Sequence, residues 1–455
     1  MNQERERSGQ DPRLAAFHTL CDVDRGEFAD HAATRRLSNL QPDDRGLALE
    51  LAYGSIRLRS RLDAELSLLL DKPIRRLDPR VLQWLRLGLY QMRETRVPDH
   101  AAVDQTVEGL KRTVGPKVGG LANAVLRRAA REGRPANAFP DPEVDPAGHL
   151  TTWGSHPRWL IERWLSRWPL ASVRRLVEND NRAPPVTVRV LDTDADSDDD
   201  LTPIEGVRLV SEPGWKSMFR VREGRPEQVL GSLPCVVQDP AAAAVVDYVG
   251  DGCMGPVLDA CAAPGGKTLA LAWRARDARP FVAADMSGRR LDRLREPVAR
   301  LGLDILLLRA DARAPAIAGA RTVLLDAPCT GTGVLRRRPD ARWRVDQDRL
   351  DSLVALQGEL LDAMADVVEP GGLLVYATCS LEPEENEERV ESFLDRHGDF
   401  RREPPEPTRV PDGAIDENGD LRVLPWKWDT DGAFASRMRR SWQAARGPNE
   451  RGTTG

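Results

Sequence analysis

One stretch, Val257-Leu258-Asp259-Ala260-Cys261-Ala262-Ala263-Pro264-Gly265-Gly266-Lys267-Thr268, constrains this chain more than any other. It begins as a short apolar strand, turns through small residues, and enters a helical pattern carrying Leu269, Leu271 and Trp273. Gly265 and Gly266 can take backbone angles closed to other residues and let a ligand approach the main chain, while the helix start presents free N–H groups. The glycine spacing fits neither a Walker phosphate loop nor the G-x-G-x-x-G of a dinucleotide site, which argues against NAD. What remains is a turn shaped for an adenosine-bearing ligand.

Two later stretches, Leu324-Leu325-Asp326-Ala327-Pro328-Cys329-Thr330-Gly331-Thr332-Gly333 and Val375-Tyr376-Ala377-Thr378-Cys379-Ser380-Leu381-Glu382-Pro383-Glu384-Glu385-Asn386-Glu387, each put a cysteine just past an apolar strand. Strands at 257–261, 281–285, 305–309, 323–326 and 373–378 alternate with helices near 268–276, 288–300, 347–369 and 383–397. This predicts a Rossmann-like α/β domain over 236–445 with a mostly parallel, doubly wound sheet. Ligands bind such sheets outside the strands' carboxyl ends, so both thiols and the glycine turn are expected in one crevice. The run 423–428 and the run 431–438 are expected as two final strands, and 446–455 as a disordered tail.

At 455 residues the chain needs more than one core. Residues 1–134 read as an all-α bundle: Asp11-Pro12 and Asp78-Pro79 are helix starts, Leu14, Phe17 and Leu20 share a face, and further helices are predicted at 47–70, 100–114 and 120–131. Lys111, Arg112, Lys117, Arg127, Arg128, Arg131 and Arg134 form a basic cluster at its end, read equally well as a solvated face or an RNA-facing patch. Residues 135–235 are expected as a linker and small α+β connector with strands at 186–190, 207–210 and 217–221. In it Leu160, Trp164 and Trp168 follow a helical core spacing, and the acidic run from Asp192 to Asp200 lacks the Gly and Glu of a calcium loop.

The net charge of −5 does not advertise nucleic-acid binding by the chain as a whole. Six scattered cysteines make no C-x-x-C pair, so no metal site is expected. The first residues lack an apolar signal core, and no run of about 18 apolar residues occurs, so a cytoplasmic protein with reduced thiols and no membrane partner is expected.

Asp285 ends its strand roughly 20 residues beyond the glycine turn, where a carboxylate can accept from ribose hydroxyls. Asp311 is placed to reach an adenine amine. Asp326 and Cys329 share one strand end, and thiols at two neighbouring strand ends beside a cofactor turn suit nucleophilic catalysis once a thiolate forms. Cys261 is read as an inert packing residue.

These stretches resemble motifs I, IV and VI of the S-adenosylmethionine-dependent RNA cytosine-5 methyltransferases. The helical start, ending Gly120-Leu121-Ala122-Asn123-Ala124-Val125-Leu126-Arg127-Arg128, resembles the NusB-like domain of the bacterial 16S ribosomal RNA methyltransferases called RsmB, Sun or Fmu. The resemblance implies S-adenosylmethionine as cofactor, lined by Cys261, Ala262, Ala263, Pro264, Gly265, Gly266, Lys267, Asp285, Asp311 and Asp326. It implies Cys379 as the nucleophile at C6 of a cytosine of the 967 type in 16S rRNA, Cys329 as the residue that helps release the product, and Asp326 as a hydrogen-bond partner of the base. The target base must be unstacked. Arg336, Arg337, Arg338, Arg342 and Arg344 follow closely and are candidate phosphate contacts. The partner implied is 16S rRNA or a small-subunit assembly intermediate, met by a monomer. Thr330 stands where the family commonly has Ser, Trp426-Lys427-Trp428 replaces a His-Lys-His run, and Ala433 replaces an aromatic. The same motifs also fit a transfer-RNA methyltransferase, and the helical domain alone would fit a non-catalytic RNA-binding assembly or antitermination factor.

Overall fold

The computed structural model describes residues 11–192, 201, 203–250, 252–404 and 409–442. The acidic run beyond Asp192 and the expected tail at 446–455 lie outside them. The chain divides into two compact units, 1–183 with 335–344, and 184–334 with 345–455. The division at Ala183 falls inside the stretch expected as a connector.

The first unit is helical, with helices Pro12–Asp24, Ala29–Leu37, Pro42–Arg57, Arg59–Leu69, Pro79–Glu94, Asp99–Thr113 and Gly119–Glu132. Asp11 accepts from the N–H groups of Arg13 and Leu14, and Asp78 from that of Arg80, which satisfies donors a helix start cannot pair internally. The helix Ala29–Leu37 was not expected from sequence; it buries only Ala29, Ala32, Ala33 and Leu37, too little apolar bulk to mark a period. Trp84 is fully buried in the core and stacks on Phe17 at 4.8 Å. A Cβ on Gly109 would come within 2.2 Å of the Trp84 ring, so only glycine lets helix 99–113 pass that close. Leu160 and Trp164 are wholly buried, as the core spacing expects, while Trp168, the third residue of that spacing, is half-buried.

Residues 335–344 also belong to this unit. Arg342 is completely buried and donates to the carbonyls of Ser155 and Asp180 at 3.0 Å, of Arg57 and Leu335 at 3.3 Å, and to Asn181 Oδ1 at 2.9 Å. Arg336 is buried too and donates to Asn179 Oδ1 at 3.1 Å. Arg344 donates to the carbonyls of Gly26 and Glu27. The expectation that Arg336 and Arg342 contact phosphates is therefore corrected, because both are buried and donate to carbonyl and amide oxygens inside the helical unit, while Arg344, half-buried, donates to two carbonyls and lies 3.3 Å from Asp340. Arg338 is exposed and Arg337 half-buried.

The second unit carries two sheets. Strands β1 (Thr187–Val190), β2 (Arg208–Ser211), β3 (Met218–Glu223) and β4 (Cys235–Val237) form a small antiparallel sheet in the order β2-β3-β1-β4. The main sheet holds β5 (Val257–Asp259), β6 (Phe281–Asp285), β7 (Leu306–Arg309), β8 (Ala320–Asp326), β9 (Val368–Thr378), β10 (Phe400–Arg402), β11 (Leu421–Val423) and β12 (Ala433–Arg440). Its order is β10-β12-β9-β8-β5-β6-β7, with β11 added against β12. Strands β5 to β9 pair in parallel and β12 runs antiparallel to β9. Strand order reverses at β5, which has β6 on one side and β8 on the other, so a crevice opens at the carboxyl ends of β5 and β8.

Two details at the C-terminal end correct the sequence reading. Trp426-Lys427-Trp428 is not strand but part of a short helix, Pro425–Trp428, because Pro425 takes its first position and cannot donate to a ladder. The strand β10 was unexpected; three residues pairing with β12 are too short to show alternation.

Candidate active site

Gly265 takes φ 111° as the residue before helix Gly266–Arg274, and a Cβ on it would meet Leu294 at 2.1 Å, so both backbone and space require glycine. Asp285, nearly buried at the end of β6, accepts from Ala263 N–H at 3.2 Å and Ser287 N–H at 2.8 Å. Arg290 donates to the Ala263 carbonyl and lies 3.6 Å from Asp285. Asp285 thus folds the turn, and its remaining lone pairs are what a ribose could use. Asp311, beyond β7, is half-buried and accepts from Arg313, whose guanidinium holds its carboxyl below the usual range. Cys261 is a packing thiol that burial pushes far up.

Asp259, at the end of β5, was not singled out from sequence. Its Oδ2 lies 2.7 Å from Thr268 Oγ1, which is also 2.9 Å from the Ala262 carbonyl oxygen. A carbonyl can only accept, and one hydroxyl proton serves two acceptors only as a weaker, shared bond. With the threonine proton on Ala262, a protonated Asp259 completes the chain by donating to Thr268. Burial, with Asp326 nearby, raises the Asp259 carboxyl to about 7. Gln238 was also missed. It is nearly buried, neither amide atom has a partner among the described residues, and its Nε2 lies 3.7 Å from where a Gly266 Cβ would stand. These orphaned polar atoms beside the glycine turn fit a polar adenosine cofactor bound there.

Lys267 donates to both oxygens of Asp326, at 2.9 and 2.8 Å. Burial opposes the ammonium charge, but the Asp326 carboxylate outweighs it and raises the lysine. Past β8 and β9, Cys329 Sγ and Cys379 Sγ stand 3.4 Å apart. The contact with Cys379, then burial, keeps the Cys329 thiol well above its ordinary range.

Both cysteine loops are braced by the turn after Cys379. Glu385, fully buried, accepts from Thr330 N–H at 2.8 Å, from the Thr330 hydroxyl, and from Gln357 Nε2 at 3.0 Å; Gln357 donates also to the Pro328 carbonyl at 2.9 Å. The residues on either side of Cys329 are thereby fixed. Asn386 does the same for Cys379, accepting from Thr378 Oγ1 at 2.5 Å and donating to the Ser380 carbonyl at 3.0 Å. Burial raises the Glu385 carboxyl. The Pro383-Glu384-Glu385-Asn386 run was the visible signal for this bracing, though not its meaning.

Of the basic cluster in the helical unit, Arg112 pairs with Asp11 at 2.8 Å, Arg128 with Glu132 at 3.0 Å, and Arg134 with Glu65 at 2.7 Å. Lys111, Lys117 and Arg127 are exposed and, among the described residues, have no carboxylate partner within 4.0 Å. No group of three or more His, Cys, Asp or Glu able to hold a metal occurs among the described residues, and no helix there is long and apolar enough to cross a membrane.

Residues 252–439 match the model of the 16S rRNA methyltransferase RsmB/F family, 10–131 that of the NusB family, and 156–205 that of the RsmF/B-like ferredoxin-like domain. The chain is 35% identical to the ribosomal RNA small subunit methyltransferase B of Vibrio vulnificus over 93% of its own length and 97% of that protein's. The chain belongs to the RsmB/F family. It is a methyltransferase, and use of S-adenosylmethionine follows from that family. A second relative, ribosomal RNA small subunit methyltransferase B of Pseudomonas syringae pv. tomato, is 38% identical over 85% of this chain and 87% of that one. Among solved structures, that of PH0851 superposes with TM-score 0.74 at 25% identity, covering 94% of this chain and 98% of the other. A methyltransferase homolog from Pyrococcus horikoshii gives 0.53 at 27% identity, covering 66% of this chain and 100% of that one. For an RsmB/F member, the paired cysteines and the braced crevice are the parts of the chain that remain to be given work.

Proposed function

We propose that this chain methylates C5 of a cytosine of the 967 type in 16S rRNA, free or in a small-subunit assembly intermediate, through a covalent adduct of Cys379 with C6. The observation that carries this reading is the pair of sulfurs 3.4 Å apart at neighbouring strand ends, each loop fixed by its own buried side chain. Cytosine C5 is too weak a nucleophile until a thiolate adds at C6 and makes the ring an enamine. Cys379 makes that bond, and C5 then takes the methyl group. Gly265, Gly266, Gln238 and Asp285 would hold S-adenosylmethionine, which would supply the electrophilic methyl. A base removes the C5 proton, and the Cys379 thiolate leaves with the ring double bond restored. Cys329, kept protonated, suits this release better than the attack. The Lys267 ammonium pairs with Asp326 at the end of β8, and the carboxylate can accept from the cytosine amine. Lys111, Lys117 and Arg127 contact backbone phosphates.

The test uses Cys379→Ser and Cys329→Ser with 16S rRNA, small-subunit particles and transfer RNA. A serine hydroxyl is un-ionised at neutral pH, so Cys379→Ser is expected to neither methylate nor crosslink. Cys329→Ser is expected to trap protein on RNA as a slow, RNase-sensitive band in a denaturing gel. A trapped adduct in Cys379→Ser and none in Cys329→Ser reverses the two roles, and wild-type transfer to transfer RNA alone overturns the substrate.

A further inference from the structure

The helical unit contains a cavity of about 270 Å³ that none of the methyl-transfer residues lines. Its wall includes Ser55, Arg59, Arg86, Asp24 and, from the returning segment 335–344, Trp343 and Arg344. Most of these groups already have partners. Arg86 makes a two-pronged pair with Asp63 at 2.7 Å, Arg344 lies 3.3 Å from Asp340, and the Trp343 indole N–H donates to the Ile56 carbonyl at 2.9 Å.

Three groups do not fit that closed account. Ser55 is 1% exposed and its hydroxyl has no hydrogen-bond partner among the described residues. Arg59, half-buried, has among the described residues no carboxylate within 4.0 Å and no hydrogen-bond acceptor, and its guanidinium faces the Trp343 ring at 5.5 Å. Burial lowers its affinity for its proton, with Arg86 adding to the effect and Asp24 and Asp63 opposing it. Asp24 is exposed and, among the described residues, is held only by Gln83, so its carboxylate keeps acceptor capacity at the edge of the cavity. A buried unbonded hydroxyl beside a half-buried cation with no carboxylate partner costs stability that a bound ligand would recover.

We propose that this cavity is a nucleotide subsite. The phosphate lies on Arg59 and the Ser55 hydroxyl, the base lies against Trp343, and Asp24 accepts from an exocyclic amine, so cytosine, adenine or guanine is preferred over uracil. An arginine, an indole face and a single acceptor form the usual set by which a single-stranded nucleotide is recognised. The ligand is a nucleoside phosphate, either free or within an RNA strand. The RNA source rests on the proposed substrate; the nucleotide site does not.

The experiment titrates cytidine monophosphate, uridine monophosphate and inorganic phosphate into the full-length protein by calorimetry, with the cofactor site saturated by S-adenosylhomocysteine. The same titrations use Arg59→Gln and Ser55→Ala. Cytidine monophosphate is expected to bind more tightly than either other probe, and Arg59→Gln to weaken it by at least about tenfold, as loss of a charge-assisted hydrogen bond does. Ser55→Ala is not expected to melt lower than wild type, because its hydroxyl has no partner among the described residues to lose, whereas Arg59→Gln gives up the contact with the Trp343 ring. Absence of cytidine monophosphate binding, unchanged affinity in both variants, or phosphate binding as tight as the nucleotide overturns the assignment. A short single-stranded RNA that binds through Arg59 more tightly than the mononucleotide assigns the site to RNA; the reverse order assigns it to a free nucleotide. If nucleotide binding through Arg59 persists while no RNA is methylated, the catalytic reading fails and the subsite stands.

Discussion

Replacing Asp259 by asparagine asks whether the crevice contains a protonated acid. Moving a carboxyl from 3.8 to about 7 separates its protonated and ionised forms by on the order of 4 kcal/mol in the folded chain. The sign follows from which state releases its proton first. Below the unfolded value both states are protonated and the contribution is fully present. As pH rises, the unfolded chain ionises first, so stability falls by about 1.4 kcal/mol per pH unit until the folded carboxyl ionises too. From about pH 5 to about pH 7 this single group should remove roughly 2 kcal/mol. The substituted amide stays neutral throughout, and it can donate to Thr268 Oγ1 as the protonated acid does. Urea unfolding of wild type and Asp259→Asn across that range should give a wild-type curve that falls more steeply with pH, the two diverging by the predicted amount. All other titrating groups are shared and cancel in the difference. Parallel curves would show that Asp259 is ionised in the fold and that the hydrogen-bond argument at Thr268 is wrong.

Asp285→Ala removes the acceptor that both shapes the turn and remains open to a ribose; S-adenosylmethionine affinity should fall at least about tenfold by calorimetry in a folded variant, each charged hydrogen bond contributing roughly 1.5–3 kcal/mol. Glu385→Gln puts an amide donor where Thr330 offers two donors, so stability in urea should drop by about 1–3 kcal/mol and methyl transfer should fall while cofactor affinity holds. An unaltered transfer rate would mean that Cys329 does not need its loop fixed. Neutralising Lys117 and Arg127 together should flatten the salt dependence of RNA affinity by about two units, whereas neutralising Arg112 and Arg128, already paired with Asp11 and Glu132, should change it less.

The sequence by itself determined what is local. Asp-Pro pairs cap helices because carboxylate and ring act within one turn, and the helix 288–300 and strand Phe281–Asp285 lie where their periodicity places them. The glycine turn was legible because its backbone angle admits few residues. The convergence of Cys329 and Cys379 could be inferred from strand–helix alternation, since parallel connection forces strand ends to one edge. Short elements escaped, as at Phe400–Arg402, and so did the helix over 425–428. What only the tertiary structure decided is the partner of each polar side chain. Arg342 looked like one more arginine in a basic loop, yet its acceptors include a carbonyl 285 positions away. Glu385 and Gln357 brace Cys329 from 55 and 29 positions along the chain, measured at Thr330 and Pro328. The charge and spacing of a residue are local properties, but whether it faces water, a carbonyl or an empty cavity depends on which distant backbone the fold sets against it.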